Sequence, residues 1–340
     1  MEMTTNLLPP ELDAALQRLG VKLEAGDRLD AEARDVVKQM ADLPPAAVVG
    51  LDSQIAVSAK LWHRPNGNRV LAKFWGDVTD AEQLLRTPLL EYIFLFHHDG
   101  RLRESALQRA VGGIPSAFLF AAICWRLNDW AAPVRKAAAK CAERCFPATD
   151  PAVVAAALSD LMQRKDSWSR WEEERQLFED QMSRPAVARS LVAIIAERPT
   201  GAMAKLLRSA SKTPHLDRYL DEVFRSAVQP AVRAAALRML LQGGAVWPVG
   251  RGWQWIDKSM GLRRWVMIFD RRTIDVETAP EDLVGRGIDD KSAMVRGVAL
   301  SGAIRHLRGT TIERVYADKL KHDRSRSVRE RARFILDHPV

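Results

Sequence analysis

Asp290-KSAM-Val295-Arg296 and Asp323-RSRS-Val328-Arg329 carry one spacing: an aspartate, four residues, an aliphatic residue, then arginine. Asp129-WAAP-Val134-Arg135 and Asp257-KSMG-Leu262-Arg263 match it, and Pro230-Ala231-Val232-Arg233 keeps only its end. The arginines are separated by 98, 30, 33 and 33 residues, and the long step is close to three of the short ones. A period in this range marks a stacked array of small structural units.

Working outward, apolar residues recur at helical spacing from about residue 87 onward, with Pro and Gly at the breaks. Thr87-Pro88 reads as a helix start, and LLEYIFLFHH ends at Asp99-Gly100. The helices pair in succession: SAFLFAAICWRLN with APVRKAAAKCAERCF, PHLDRYLDEVFRSAV with PAVRAAALRMLLQGG, APEDLVGRGID with SAMVRGVALSGAIRHL, and TIERVYADKL with SRSVRERARFILDH. GLRRWVMIFDRR is expected as a second helix, preceded by an atypical first helix around Trp253–Lys258. Residues 1–86 are less regular, with helices expected at 10–19, 30–41 and 45–61. Asn66-Gly67 offers a hairpin turn, although its flanks alternate poorly and a loop fits them as well. The chain therefore divides into a divergent, mostly helical N-terminal capping region, 1–86, and a repeat array, 87–340.

The repeated residues have a structural use. The aliphatic residue falls in the first turn of a second helix and points inward. The adjacent arginine reaches the aspartate of an adjoining unit, where a planar guanidinium matches a carboxylate. Asp129, Arg135, Arg233, Asp257, Arg263, Asp290, Arg296, Asp323 and Arg329 are thus read as a ladder between units.

This pattern resembles the HEAT-repeat family, whose helical hairpins open their second helix with an aspartate–valine–arginine motif. The resemblance covers about residues 88–340, and residues 147–228 keep the hairpins without the motif. It implies an all-α fold, an α-solenoid of stacked antiparallel helix pairs whose second helices line a concave face. It says little about function, because such arrays serve as scaffolds, receptors, regulators and occasionally enzymes.

The formal charge of +8 is unevenly placed. Residues 201–340 hold 26 Lys/Arg against 16 Asp/Glu, whereas residues 1–80 hold 9 against 12. That asymmetry points to an anionic partner for the C-terminal part. No apolar run is long enough to cross a bilayer, and the N-terminus lacks the features of a signal peptide. Cys124, Cys141 and Cys145 lack further ligands at metal-binding spacing and read as buried free thiols of a reducing compartment. The expectation is a soluble, cytoplasmic, bacterial protein with no membrane partner and no cofactor or metal.

No phosphate-binding loop, nucleophile elbow, zinc motif or dinucleotide fingerprint occurs. His97-His98 reads as a helix end whose cations suit its C-terminus. Ten tryptophans are many for 340 residues, and several neighbour arginine. Trp168 and Trp171 form one group, and Trp247, Trp253, Trp255 and Trp265 another. Such groups fill irregular packing, stack bases or anchor a protein interface. Arg251, Trp253, Trp255, Arg264, Trp265, Arg271, Arg272, Arg326 and Arg333 are the candidate binding residues. The chain is also similar in kind to HEAT-like alkylpurine DNA glycosylases, a resemblance that makes Trp125 and Asp129 the nearest candidate pair. The expectation is a non-enzymatic scaffold or adaptor binding a protein, with nucleic-acid binding, glycosylase-like or not, as the alternative. Composition leaves the oligomeric state open.

Overall fold

The computed structural model describes residues 7–62, 78–162, 167–171 and 174–338. They are mostly helical, with one two-stranded antiparallel sheet. The candidate turn at Asn66-Gly67 lies outside the described residues. The chain divides into two compact units, Met1–Met182 and Ser183–Val340.

The first unit begins with α1 (Pro10–Ala25), α2 (Asp30–Met40) and α3 (Val48–Ser58). Its next helix, α4 (Asp80–Arg86), is opened by a capping box in which Thr79 and Glu82 satisfy each other's backbone N–H groups. The expected start at Thr87-Pro88 is not one: Thr87 closes α4, and α5 (Leu90–Phe94) follows Leu89. α6 (Gly100–Arg109), α7 (Ala117–Leu127), α8 (Ala132–Cys145), α9 (Pro151–Leu161) and α10 (Arg175–Met182) complete the unit. His97 lies between α5 and α6, not at a solvated helix end; its buried ring accepts the Asp99 N–H and faces Asp80 at 3.5 Å. Cys124, Cys141 and Cys145 are free and buried.

The second unit comprises α11 (Pro185–Glu197), α12 (Met203–Ala210), α13 (Leu220–Ser226), α14 (Pro230–Gln242), α15 (Pro280–Ile288), α16 (Ala293–His306), α17 (Thr311–Leu320) and α18 (Arg326–Asp337). A hairpin of β1 (Gly244–Asp257) and β2 (Leu262–Thr273) lies between α14 and α15. α13 packs on α14, α15 on α16 and α17 on α18, while α14, α16 and α18 also pack side by side. The last helix, α18, buries one stripe, Val328, Ala332 and Ile335, whereas α14, packed on several neighbours, is buried over most of its circumference. Gly302 allows α16 to approach α14, since a Cβ there would lie 2.5 Å from a methyl of Leu241.

The aspartates and arginines make one recurring contact. Arg233 donates from Nε and Nη2 to both oxygens of Asp290, at 2.8 and 3.0 Å. Arg296 does the same to Asp323, at 2.7 and 3.0 Å. In the first unit Arg103 holds Asp129 at 2.9 Å through both donors. The remaining nitrogen, Nη1, donates to the carbonyls of residues i−6 and i−5: His97 and His98 for Arg103, Ala227 and Val228 for Arg233, Asp290 and Lys291 for Arg296. Arg135 and Arg329 keep this carbonyl clamp, on Asp129 and Trp130 and on Asp323 and Arg324. One guanidinium thus satisfies the end of its own helical connection and joins it to the next helix pair. Each aspartate also accepts the N–H two residues on, from Ala131, Ser292 or Ser325.

Arg103 was hidden from the motif because His97 stands where the aspartate would be, in His97-HDGR-Leu102-Arg103. Asp129 takes a second arginine, Arg126 (3.0 Å), which also binds Asp52.

These contacts hold the carboxylates ionised. Burial pushes the Asp129 and Asp290 carboxyls up, but hydrogen bonds from Arg103 and Arg233 and from the backbone outweigh it, and both end below the usual carboxylate range. For Asp323 the hydrogen bond from Arg296 dominates and lowers it. A folded-state pKa below the unfolded value of about 3.9 means that the stabilisation is complete above that pH and is lost as pH falls through the folded value. Asp290→Asn should therefore melt below the wild type at neutral pH, and the gap should close as the pH drops well under 4. A gap that stays constant in a pH series of thermal melts would show that Asp290 contributes nothing through its charge.

The copy at Asp257–Arg263 is a false match. The expected helices around 253–258 and over GLRRWVMIFDRR are the two strands β1 and β2. Arg264-Trp265-Val266-Met267-Ile268-Phe269 is rich in aromatic and β-branched residues, which favour an extended chain. Asp257 accepts the Ser259 N–H at 2.8 Å, the same local turn that the true copies make before a helix. Here Gly261, at φ 66°, turns the chain back instead. Arg263 stands over the Trp253 ring at 4.4 Å, and neither it nor Asp257 belongs to the ladder.

Candidate functional site

Side by side, α14, α16 and α18 form a groove with a cavity volume of about 360 Å³. Its floor is small: Gly297, Ser301 and Gly302 of α16. Each of the three helices contributes an exposed arginine to it: Arg238, Arg305 and Arg331. Arg331 is steadied by Ser301 Oγ (3.2 Å) and the Ser327 carbonyl (2.9 Å). No carboxylate lines the groove. Arg208 of α12 also feels the charge of Arg238: its pKa is lowered first by burial and then by that neighbouring cation. Excess positive charge is thus concentrated here rather than cancelled in pairs.

The hairpin is rooted beside this groove, because Leu241 and Gln242 line the groove and β1 begins at Gly244. Ala245, Trp247 and Ile274 are buried at its base. Arg272 fixes that base: it pairs with Asp217 and donates to the carbonyls of Ser211 and Thr213. Beyond it the strands leave the helices, and nearly every side chain is exposed. The register places Arg251 opposite Met267, Trp253 opposite Trp265, and Trp255 opposite Arg263. Directly opposed residues share a face, so these six occupy one side of the ribbon. The Trp253 and Trp265 rings meet edge to face at 5.1 Å.

The expected binding residues separate accordingly. Arg251, Trp253, Trp255 and Trp265 come together on one exposed face, whereas Arg264 lies on the other, hydrogen-bonded to Gln254 at 3.1 Å. Arg271 is exposed near the root. Arg272 is not a free binding group but the anchor of the hairpin. Arg326 is exposed and paired with Glu330 at 2.7 Å, and Arg333 is exposed on the same helix. Neither lines the groove. Trp168 and Trp171 are buried, in contact with Trp125 and Phe178, and they serve packing. Sequence reasoning missed Arg238, Arg305 and Arg331. Their signal was present as arginines outside the motif on each second helix, one on α14, one on α16 and three on α18, but which of them meet depends on which helices pack side by side, a tertiary fact.

No protein-family model, curated protein or solved structure matches this chain. Among the described residues no helix is long and apolar enough to cross a membrane.

Proposed function

We propose that this chain is a HEAT-like α-solenoid that binds nucleic acid through the groove of α14, α16 and α18. The observation that carries the reading is three arginines, one from each helix, over a floor of small residues with no carboxylate among the lining. Parallel helices about 8–10 Å apart present such arginines at intervals that a polyanion with regularly spaced charges can follow. A protein partner, the first expectation from sequence, needs apolar anchors at the centre of its interface. This groove does hold apolar side chains, Leu241, Met294 and Val298, but they share it with three arginines and no carboxylate, which favours an anionic partner.

The reading involves no chemistry. A glycosylase-like role asks Asp129 to meet a substrate, yet its side chain is wholly buried and accepts hydrogen bonds from Arg103, Arg126 and the Ala131 N–H.

Mobility shift over a salt series tests the reading. Duplex DNA or RNA should bind near 50 mM salt and weaken steeply as salt rises. Arg238→Glu with Arg305→Glu should reduce affinity at least about tenfold and lower the salt slope by about two. Both side chains are exposed, so the fold should be unaffected. Wild-type affinity and slope in the double variant, or no binding by the wild type at low salt, would sink the reading.

A further inference from the structure

We propose that the face of the hairpin bearing Arg251, Trp253, Trp255, Arg263, Trp265 and Met267 is a stacking platform for unpaired bases, so that the protein prefers single-stranded over duplex nucleic acid. This inference rests on the nucleic-acid reading of the adjoining groove.

Exposure is the first observation. Trp253, Trp255 and Trp265 are 56%, 51% and 52% exposed, on a ribbon with no second layer behind it. A two-stranded hairpin is marginal by itself in water. This one is held at its root by Arg272 and by the buried Ala245, Trp247 and Ile274, which leaves its far end free to carry side chains that do not serve the fold.

Charge narrows the partner. Residues 244–273 hold six Lys/Arg and two Asp/Glu. Of the two acids, Asp257 sits in the turn at the tip, where it accepts the Ser259 hydroxyl and N–H at 2.5 and 2.8 Å, and Asp270 alternates to the face opposite Trp265 and Met267. The aromatic face therefore presents cations and rings without an opposing carboxylate. That combination matches a partner that is anionic along its backbone and has flat apolar groups beside it.

Geometry decides between paired and unpaired bases. In a duplex the faces of the bases are covered by their neighbours, and only edges and phosphates are reachable. Aromatic side chains stack on bases whose faces are free, with little regard to sequence. Trp253 meets Trp265 edge to face, and the Arg263 guanidinium lies 4.4 Å from its centre. The ring is thereby held in place, while Trp255 lies two residues along the same strand. Because β1 follows directly on α14, a strand whose phosphates follow the groove arrives at the root of this face.

The experiment uses the full chain with a fluorescein-labelled single strand of mixed sequence and the matching duplex, read by anisotropy and tryptophan emission. The wild type should bind the single strand more tightly, with quenching of its emission. Trp253→Ala with Trp265→Ala should weaken single-strand binding at least about tenfold and remove most of the quenching, while duplex binding stays unchanged. Circular dichroism and melting temperature should match the wild type, since both rings face solvent. Arg238→Glu with Arg305→Glu should weaken both ligands. If the tryptophan variant binds the single strand as well as the wild type, the platform is wrong while the groove reading stands. If the wild type binds no nucleic acid, both fall. Light scattering that finds a dimer dissolved by the tryptophan substitutions, or equal loss of binding to anionic vesicles, would assign the face to self-association or to lipid and overturn the proposal.

Discussion

Asp129→Ala should cost about 3–5 kcal/mol, the largest loss expected from any single ladder residue. Its carboxylate has no exposed surface, and the Arg103 and Arg126 side chains that bind it are 5% and 6% exposed. Removing the carboxylate leaves two buried guanidinium groups facing each other with one shared counter-charge gone. Arg126 retains Asp52 and Arg103 retains two carbonyls, so the site is weakened rather than emptied. The Ala131 N–H at the start of α8 also loses its acceptor. Denaturant unfolding of Asp129→Ala should show this loss. Asp323→Ala, at a half-buried contact with a single arginine, should lose clearly less. Equal losses would mean that burial does not set the strength of these contacts.

Val295→Asp should destabilise by at least about 3 kcal/mol. Val295 is fully buried in the first turn of α16, where that helix meets α15 and α14. A carboxylate there either stays ionised without a partner or takes up a proton at the cost of a raised pKa. The neighbouring Arg296 cannot rescue it, because its guanidinium is committed to Asp323 and to the carbonyls of Asp290 and Lys291. Val295→Ala separates the causes: it deletes volume without adding charge and should cost less than the aspartate. A melting temperature unchanged by Val295→Asp would show that this side chain is not in the core.

The motif was a good guide to position and a poor guide to context. At Asp129, Asp290 and Asp323 it marks an aspartate that makes a local turn and receives an arginine from the preceding helix pair. At Asp257 the same local turn closes a hairpin, and the copy is spurious. An aspartate accepting the N–H two residues on is compatible with a helix entry or with a reverse turn. The residues that follow decide between them. After Asp290 come small and aliphatic residues at helical spacing; after Asp257 come Gly261 and an aromatic, β-branched run. Arg103 shows the opposite failure, since its carbonyl clamp and its carboxylate are both present while the motif's first residue has become His97.

From sequence alone came the helical pairs of the C-terminal half other than the one expected over 253–272, the inward positions Val134, Val295 and Val328, and the concentration of positive charge beyond residue 200. These follow from local rules: periodicity, chain breaks and composition act over a few residues. What the tertiary structure decided was which charges are spent. Arg103, Arg126, Arg233, Arg272 and Arg296 are consumed by carboxylates or carbonyls far away in the chain. Arg238, Arg305 and Arg331 meet in one groove, and Trp253, Trp255 and Trp265 lie exposed while Trp168 and Trp171 are buried. An arginine or a tryptophan carries the same letters in every case. Whether it holds the protein together or faces a partner depends on neighbours that only packing brings near.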